Sequence, residues 1–202
     1  MIKNVIFDLG NVILMDKPSS IVKDLNISEA DKSIVLNEFF NDELCNLDFG
    51  YISLKSYYDN CNLSDDLKNK IGDILLNYFR YREINDKVYN LMVKLKKNNY
   101  NIYILSNNNN ETYEFLRELD EFKFIDGWIV SSVYHVVKPE DELYKILFEQ
   151  FKLIPAECFF IDDKVDNIET GMKFGMAGHV LNYSEFGVDK LIEDMKKYDI
   201  LI

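Results

Sequence analysis

The chain is poor in several residues on which common chemistries depend. It has two histidines and three cysteines among 202 residues. Cys45, Cys61 and Cys158 are scattered without metal-ligand spacing, which excludes a zinc site of the usual thiolate or imidazole kind. Three thiols cannot all pair within one chain, and a chain of this length builds a core without disulfides, so a reducing, cytoplasmic setting is expected. No apolar run approaches the ~20 residues that span a bilayer. The first apolar segment is cut off at Asp8, so no signal peptide is expected there. Repeats and low-complexity tracts are absent, and the Asn107–Asn110 run is too short to count as one. Positive charge is also scarce. Lys and Arg number 23 against 35 Asp and Glu, a net charge of -12. That argues against nucleic acid and anionic membrane as partners.

What is present is an alternation of short apolar runs with amphipathic helical patterns. This predicts an α/β fold with a Rossmann-like parallel sheet covered by helices on both faces. Strands are expected at Val5–Phe7, Ile102–Leu105, Trp128–Val130, Phe159–Ile161 and His179–Leu181. Each is short and apolar, as strands buried on both faces should be. Helical stripes run through Val88, Leu91, Met92 and Leu95, through Tyr144, Leu147, Phe148 and Phe151, and through Leu191, Ile192 and Met195. From Asp16 to Ile84 no strand is expected. Ser28 and Ser64 read as helix N-caps. Ile34, Val35 and Phe39 follow the first cap at helical spacing, and Leu67, Ile71, Ile74, Leu75, Tyr78 and Phe79 follow the second. The expected organisation is a core of residues 1–15 and 85–202, with residues 16–84 inserted as a helical subdomain.

The chemistry concentrates where strands end. Asp8 follows the first strand, Ser106 the second, and Asp162 and Asp163 the fourth, while Lys138 stands in the loop after the third. In an open parallel sheet the carboxyl ends of the strands share one edge, and ligands bind there. Three carboxylates gathered at one edge repel unless a cation lies among them, and hard oxygen donors favour Mg²⁺. A carboxylate not needed as a plain ligand can attack phosphorus and form an aspartyl-phosphate. Lys138 and the ion would balance charge on the phosphoryl oxygens. Ser106, with neighbouring N–H groups, would hold another.

The segments "IFDLGNVI", "YILSNNN", "VVKPEDELY" and "FFIDDKVDNI" together resemble the four ordered motifs of the haloacid dehalogenase-like hydrolases. The likeness reaches the helical-cap sugar-phosphatase branch and covers nearly the whole core. It implies that Asp8 is the nucleophile and a metal ligand, and that Gly10 offers its backbone carbonyl to Mg²⁺. Ser106 and Asn107 would contact phosphate, with Lys138 bridging nucleophile and phosphate. Asp163 would bind the metal, while Asp162 and Asn167 would support it from behind. Residues 16–84 would form the cap, with Asp48 and Gly50 in the loop that helps choose the substrate.

Two positions depart from that pattern. Most phosphatases of the family carry an acid–base Asp where Gly10 stands. Such a group is typically worth ~10²–10⁴ in rate. A good leaving group, such as an anomeric sugar oxygen, or a donor from the cap, from water or from the substrate would compensate. His135 replaces a common Gly; it reads either as a proton donor near the mouth or as a loop histidine satisfied by backbone. Arg80 and Arg82 are candidates for extra positive charge. The leading expectation is a Mg²⁺-dependent phosphomonoesterase acting on a small soluble ester, such as a sugar phosphate. The alternatives are a haloacid dehalogenase, which needs no metal, and a non-catalytic phosphometabolite binder.

Overall fold

A computed structural model of the chain describes residues 1–15, 17–182 and 187–202. Five parallel strands form the central sheet: β1 (Asn4–Phe7), β4 (Asn101–Ser106), β5 (Gly127–Val130), β6 (Cys158–Asp162) and β7 (Ala177–Val180), in the order β5-β4-β1-β6-β7. Between β1 and β4 lie β2 (Leu14–Met15), α1 (Pro18–Lys23), α2 (Glu29–Glu38), a 3₁₀ segment at Asp42–Phe49, α3 (Leu54–Asn60), α4 (Asp65–Leu75), β3 (Glu83–Ile84) and α5 (Asp86–Lys97). The remaining helices are α6 (Asn110–Glu118), α7 (Ser131–Tyr134), α8 (Asp141–Phe151), α9 (Val165–Lys173) and α10 (Gly187–Lys197). None of the described helices is long and apolar enough to cross a membrane.

The period-two alternation of the strands sorts their side chains into two layers. Val5 and Phe7 of β1, Ile102 and Ile104 of β4, and Phe159 and Ile161 of β6 face α5 and α10. Ile6, Tyr103, Leu105, Cys158 and Phe160 face α8 and α9. Both faces are thus covered, and the three central strands are buried throughout apart from the exposed Asn101 at the start of β4.

Residues between β2 and β3 build an apolar cluster of their own around Val35, Phe39, Leu47, Leu54, Leu67, Ile71 and Leu75. Its helices start where their caps dictate. The Ser28 hydroxyl accepts from the Asp31 N–H and the Ser64 hydroxyl from the Leu67 N–H, satisfying donors that a helix start leaves open. Phe39, Tyr57 and Tyr58 are packed inside this cluster.

Three details differ from the sequence reading. Glu83–Ile84 is a strand, pairing antiparallel with Leu14–Met15 where the chain leaves and re-enters the sheet domain. Two residues are too few to show periodicity, so the partner strand decides the conformation. Ile34 points outward at 42% exposure, and only Val35 and Phe39 of its group are buried. The last strand spans Ala177–Val180, ahead of the expected His179–Leu181, and is only half-buried at its edge of the sheet. The expected insertion boundary, Asp16, falls outside the described residues.

Candidate active site

Parallel pairing sets the convergence. Phe7 lies opposite Ile104 on one side and Ile161 on the other, so the next residue of each strand reaches the same edge. Asp8 continues this register, its N–H donating to the Ile161 carbonyl at 2.9 Å. Ser106 and Asp162 are the last residues of β4 and β6. Asp8, Asp162 and Asp163 each offer a carboxylate oxygen within 4.8 Å of one another.

Lys138 ties the cluster together. Its Nζ lies 2.9 Å from Asp8 Oδ1 and 2.6 Å from Asp162 Oδ2, and donates to the Leu105 carbonyl at 2.8 Å. The ammonium is almost fully buried. Its loop is fastened to the end of β4 by Asn107, whose Oδ1 accepts from the Lys138 N–H at 2.7 Å and whose Nδ2 donates to the Lys138 carbonyl at 2.9 Å. Asn107 is read from the sequence as a phosphate contact; in the structure its amide holds Lys138 in place.

The two aspartates after β6 are treated differently. Asp162 is inaccessible to solvent, and its Oδ1 accepts from the Lys164 N–H and Asn167 Nδ2, each at 2.8 Å. With Lys138 on Oδ2, both oxygens are engaged by the protein. Asn167 is itself held where the Tyr144 hydroxyl donates to its carbonyl. Asp163 is half-buried and accepts one bond, from Asn11 Nδ2 at 3.1 Å. Asn11 escapes sequence reading, although its left-handed backbone (φ 52°) is one that Asn tolerates better than most residues.

Burial pushes the Asp8 carboxyl up to about 6, against the opposing pull of Lys138 and with a push from Asp162. Burial alone would lower the Lys138 ammonium, but the Asp8 and Asp162 carboxylates outweigh it and its pKa is raised. Asp163 is raised, mainly by burial. One ammonium among three carboxylates leaves negative charge uncompensated. This oxygen-only set, with its oxygens all within 4.8 Å of one another, fits a hard divalent ion such as Mg²⁺.

Two cavities open on this edge. The smaller, about 120 Å³, is lined by Asp8, Gly10, Asp163, Lys138, Lys164 and Asn167, among others. The larger, about 620 Å³, lies between the inserted helices and the Asn107–Asn109 turn, and includes Ile21, Phe40, Leu44, Tyr78 and Arg82 in its wall. Asp48 lines both. Gly50 ends the 3₁₀ segment in a left-handed turn against the Ser132 carbonyl. His135 is exposed and lines neither cavity; its Nδ1 lies 2.7 Å from the Phe49 carbonyl, and its ring stacks on Tyr51. Arg80 is exposed and lies over the Phe79 and Phe115 rings.

Residues 2–175 match the family of haloacid dehalogenase-like hydrolases. The chain belongs to that family. A D-ribitol-5-phosphate phosphatase of Bacteroides thetaiotaomicron is 24% identical over 197 residues, covering 87% of this chain and 89% of the relative. A solved structure of an enzyme of this family from the same organism, in complex with magnesium and inorganic phosphate, superposes with a TM-score of 0.64 at 22% identity. It covers 92% of this chain and 96% of its own. An L-2-haloacid dehalogenase from Xanthobacter autotrophicus, with chloropropionic acid covalently bound, gives a TM-score of 0.65 at 16% identity. That match covers 100% of this chain and 85% of the dehalogenase. At these identities the structural likeness speaks for the fold, and the magnesium- and phosphate-bound enzyme and the dehalogenase are equally near.

Proposed function

We propose that this hydrolase is a Mg²⁺-dependent phosphatase that cleaves a small phosphate ester through an aspartyl-phosphate on Asp8. The observation that carries the reading is the acidic trio around one buried lysine. A dehalogenase shares the nucleophile but needs no metal, and Asp163 would then be a third carboxylate around a single buried ammonium. The phosphatase reading gives that charge a purpose.

In this reading Asp8, Asp163 and the Gly10 carbonyl hold Mg²⁺, which supplies charge neutralisation for the phosphoryl oxygens. Leu9 N–H and Lys138 Nζ fix Asp8 Oδ1, so the carboxylate meets phosphorus in one orientation. Lys138 also balances the charge that the transferring group carries. Asp162 and Asn167 stay behind the reacting atoms and keep Lys138 and the Lys164 turn in place. Ser106 offers its hydroxyl to the phosphoryl group, and Asn107 acts by holding the Lys138 loop. Residues 16–84 act as a cap over the larger cavity, excluding water and selecting the leaving group. That cavity combines apolar walls with the polar residues Lys17, Asp42, Asp48 and Arg82, a lining suited to a hydroxylated leaving group. A polyol or sugar phosphate fits it, in line with the ribitol-phosphate phosphatase among the relatives. The net charge disfavours nucleic acid and anionic membrane as partners, and three free thiols suit the cytoplasm.

Phosphate release from a panel of sugar and polyol phosphates, with Mg²⁺ and with a chelator, tests this directly. Wild type is expected to release phosphate only with the metal, and Asp8→Asn to release none. Metal-independent chloride release from 2-haloacids, without phosphate release, would replace the proposal with dehalogenation. Tight retention of a phosphate ester without turnover would replace it with a binding role.

A further inference from the structure

Gly10 leaves the site without a proton donor two residues after Asp8, and alkoxides are poor leaving groups unless protonated. Resting on the phosphatase reading above, we infer that Asp48, delivered from the inserted segment, is the missing proton donor. Three observations lead there. The scissile oxygen of a bound ester must sit where the small chamber, which takes the phosphoryl group, meets the large one, which takes the alcohol. Among the described residues only Asp48 and Asn107 line both cavities. An amide has no acidic proton to transfer and a carboxyl does, so of these two residues Asp48 is the one that can serve.

The second observation is that the core, not the inserted cluster alone, sets where Asp48 stands. Ser131 Oγ donates to the Asp48 carbonyl at 2.6 Å, and His135 Nδ1 reaches the Phe49 carbonyl at 2.7 Å. Because a carbonyl only accepts, that ring nitrogen carries the hydrogen. Gly50 turns left-handed at φ 71°, and a Cβ there would lie 2.1 Å from the Ser132 carbonyl oxygen. Three consecutive residues, Asp48, Phe49 and Gly50, are therefore seated on the Ser131–His135 stretch that follows β5. A proton donor requires such fixed placement.

The third is elimination. Tyr78 and Asp42 line only the large cavity, and Lys164 only the small one. His135 lies in neither cavity.

The proton balance is as follows. As an Asp8 carboxylate oxygen bonds to phosphorus, the bond from phosphorus to the ester oxygen breaks, and the Asp48 carboxyl gives its proton to that oxygen. The alcohol leaves. The Asp48 carboxylate then takes a proton from water as the water oxygen attacks phosphorus, releasing inorganic phosphate and restoring Asp8.

The test is Asp48→Asn assayed with two esters in Mg²⁺, reading kcat/KM, which reports events up to alcohol departure. p-Nitrophenolate leaves unprotonated, whereas ribitol 5-phosphate loses an alkoxide. The variant is expected to lose ~10² or more on the polyol ester and to keep p-nitrophenyl phosphate within a few-fold, which also shows that it folds. Equal losses on both esters, or no loss on either, overturn the inference while leaving the phosphatase reading intact. A wild type inert to both esters overturns both.

Discussion

The two walls of the cleft are built on different principles. The strand-end wall places Asp8, Asp162 and Lys138 in a buried network whose members hold one another at 2.6–2.9 Å. The helical wall has its own apolar cluster and meets the sheet domain through Phe79 against Phe115 of α6 and through polar seats, among them Ser131 on Asp48, His135 on Phe49 and the Leu54 N–H on Glu111. One wall is rigid because parallel register and buried charge leave no alternative. The other can vary its side chains without disturbing the strand-end network, so one core can serve different ligands. The comparison predicts that damage to the strand-end wall abolishes turnover, whereas damage to the seats misplaces the substrate.

The strongest way to break the comparison is Lys138→Met. Turnover is expected to fall on the order of 10³-fold, the effect of deleting a charge-stabilising group at a reacting centre. It also leaves buried carboxylates without their cation, so the melting temperature of the metal-free protein should drop, with part of the loss restored by Mg²⁺. A variant retaining wild-type kcat would show that the ammonium is structural only.

Gly50→Ala sharpens the contrast from the other side. Forcing a Cβ into a left-handed residue costs about 1–2 kcal/mol, and the contact with Ser132 must open. Turnover of a polyol phosphate should fall ~10-fold or more through misplacement of the segment, with Mg²⁺ affinity unchanged by calorimetry. Loss of metal binding would mean that the two walls are not separable.

The smallest effect concerns stability. Because the folded-state pKa of Asp8 is raised from 3.8 to about 6, its ionised form opposes folding above pH 6, and the penalty fades as pH falls toward 4. In chelator, Asp8→Asn should therefore raise the melting temperature by a few degrees at pH 8 and not at pH 4. The site trades stability for function, a trade common to active centres. A lowered melting temperature at pH 8 would instead mean that the pair with Lys138 outweighs the burial of the charge.

Much of the sheet was legible because its signals are local. Val5–Phe7, Ile102–Leu105 and Phe159–Ile161 are runs that only burial on two faces explains, and Ser28 and Ser64 cap helices with their own hydroxyls. The Glu83–Ile84 strand was not legible, since its conformation comes from Leu14–Met15 nearly seventy positions earlier. Neither was the outward turn of Ile34, because helical spacing marks a face without saying how wide the neighbouring element is. At the site, residue types pointed to Asp8, Lys138 and the Asp162–Asp163 pair. The duty of Asn107 could not be read, because its partner is the backbone of a residue 31 positions away.

Taken alone, the sequence determined the alternation of strands and helices and the polar residues at which the strands stop, since both follow from short-range pattern and burial. Only the tertiary structure decided that Lys138 lies between Asp8 and Asp162, and that Asp48 stands where the two cavities meet. Those placements depend on strand order, register and the seating of one helical segment on another loop. They are contacts between residues far apart in the chain, whose geometry no local preference encodes.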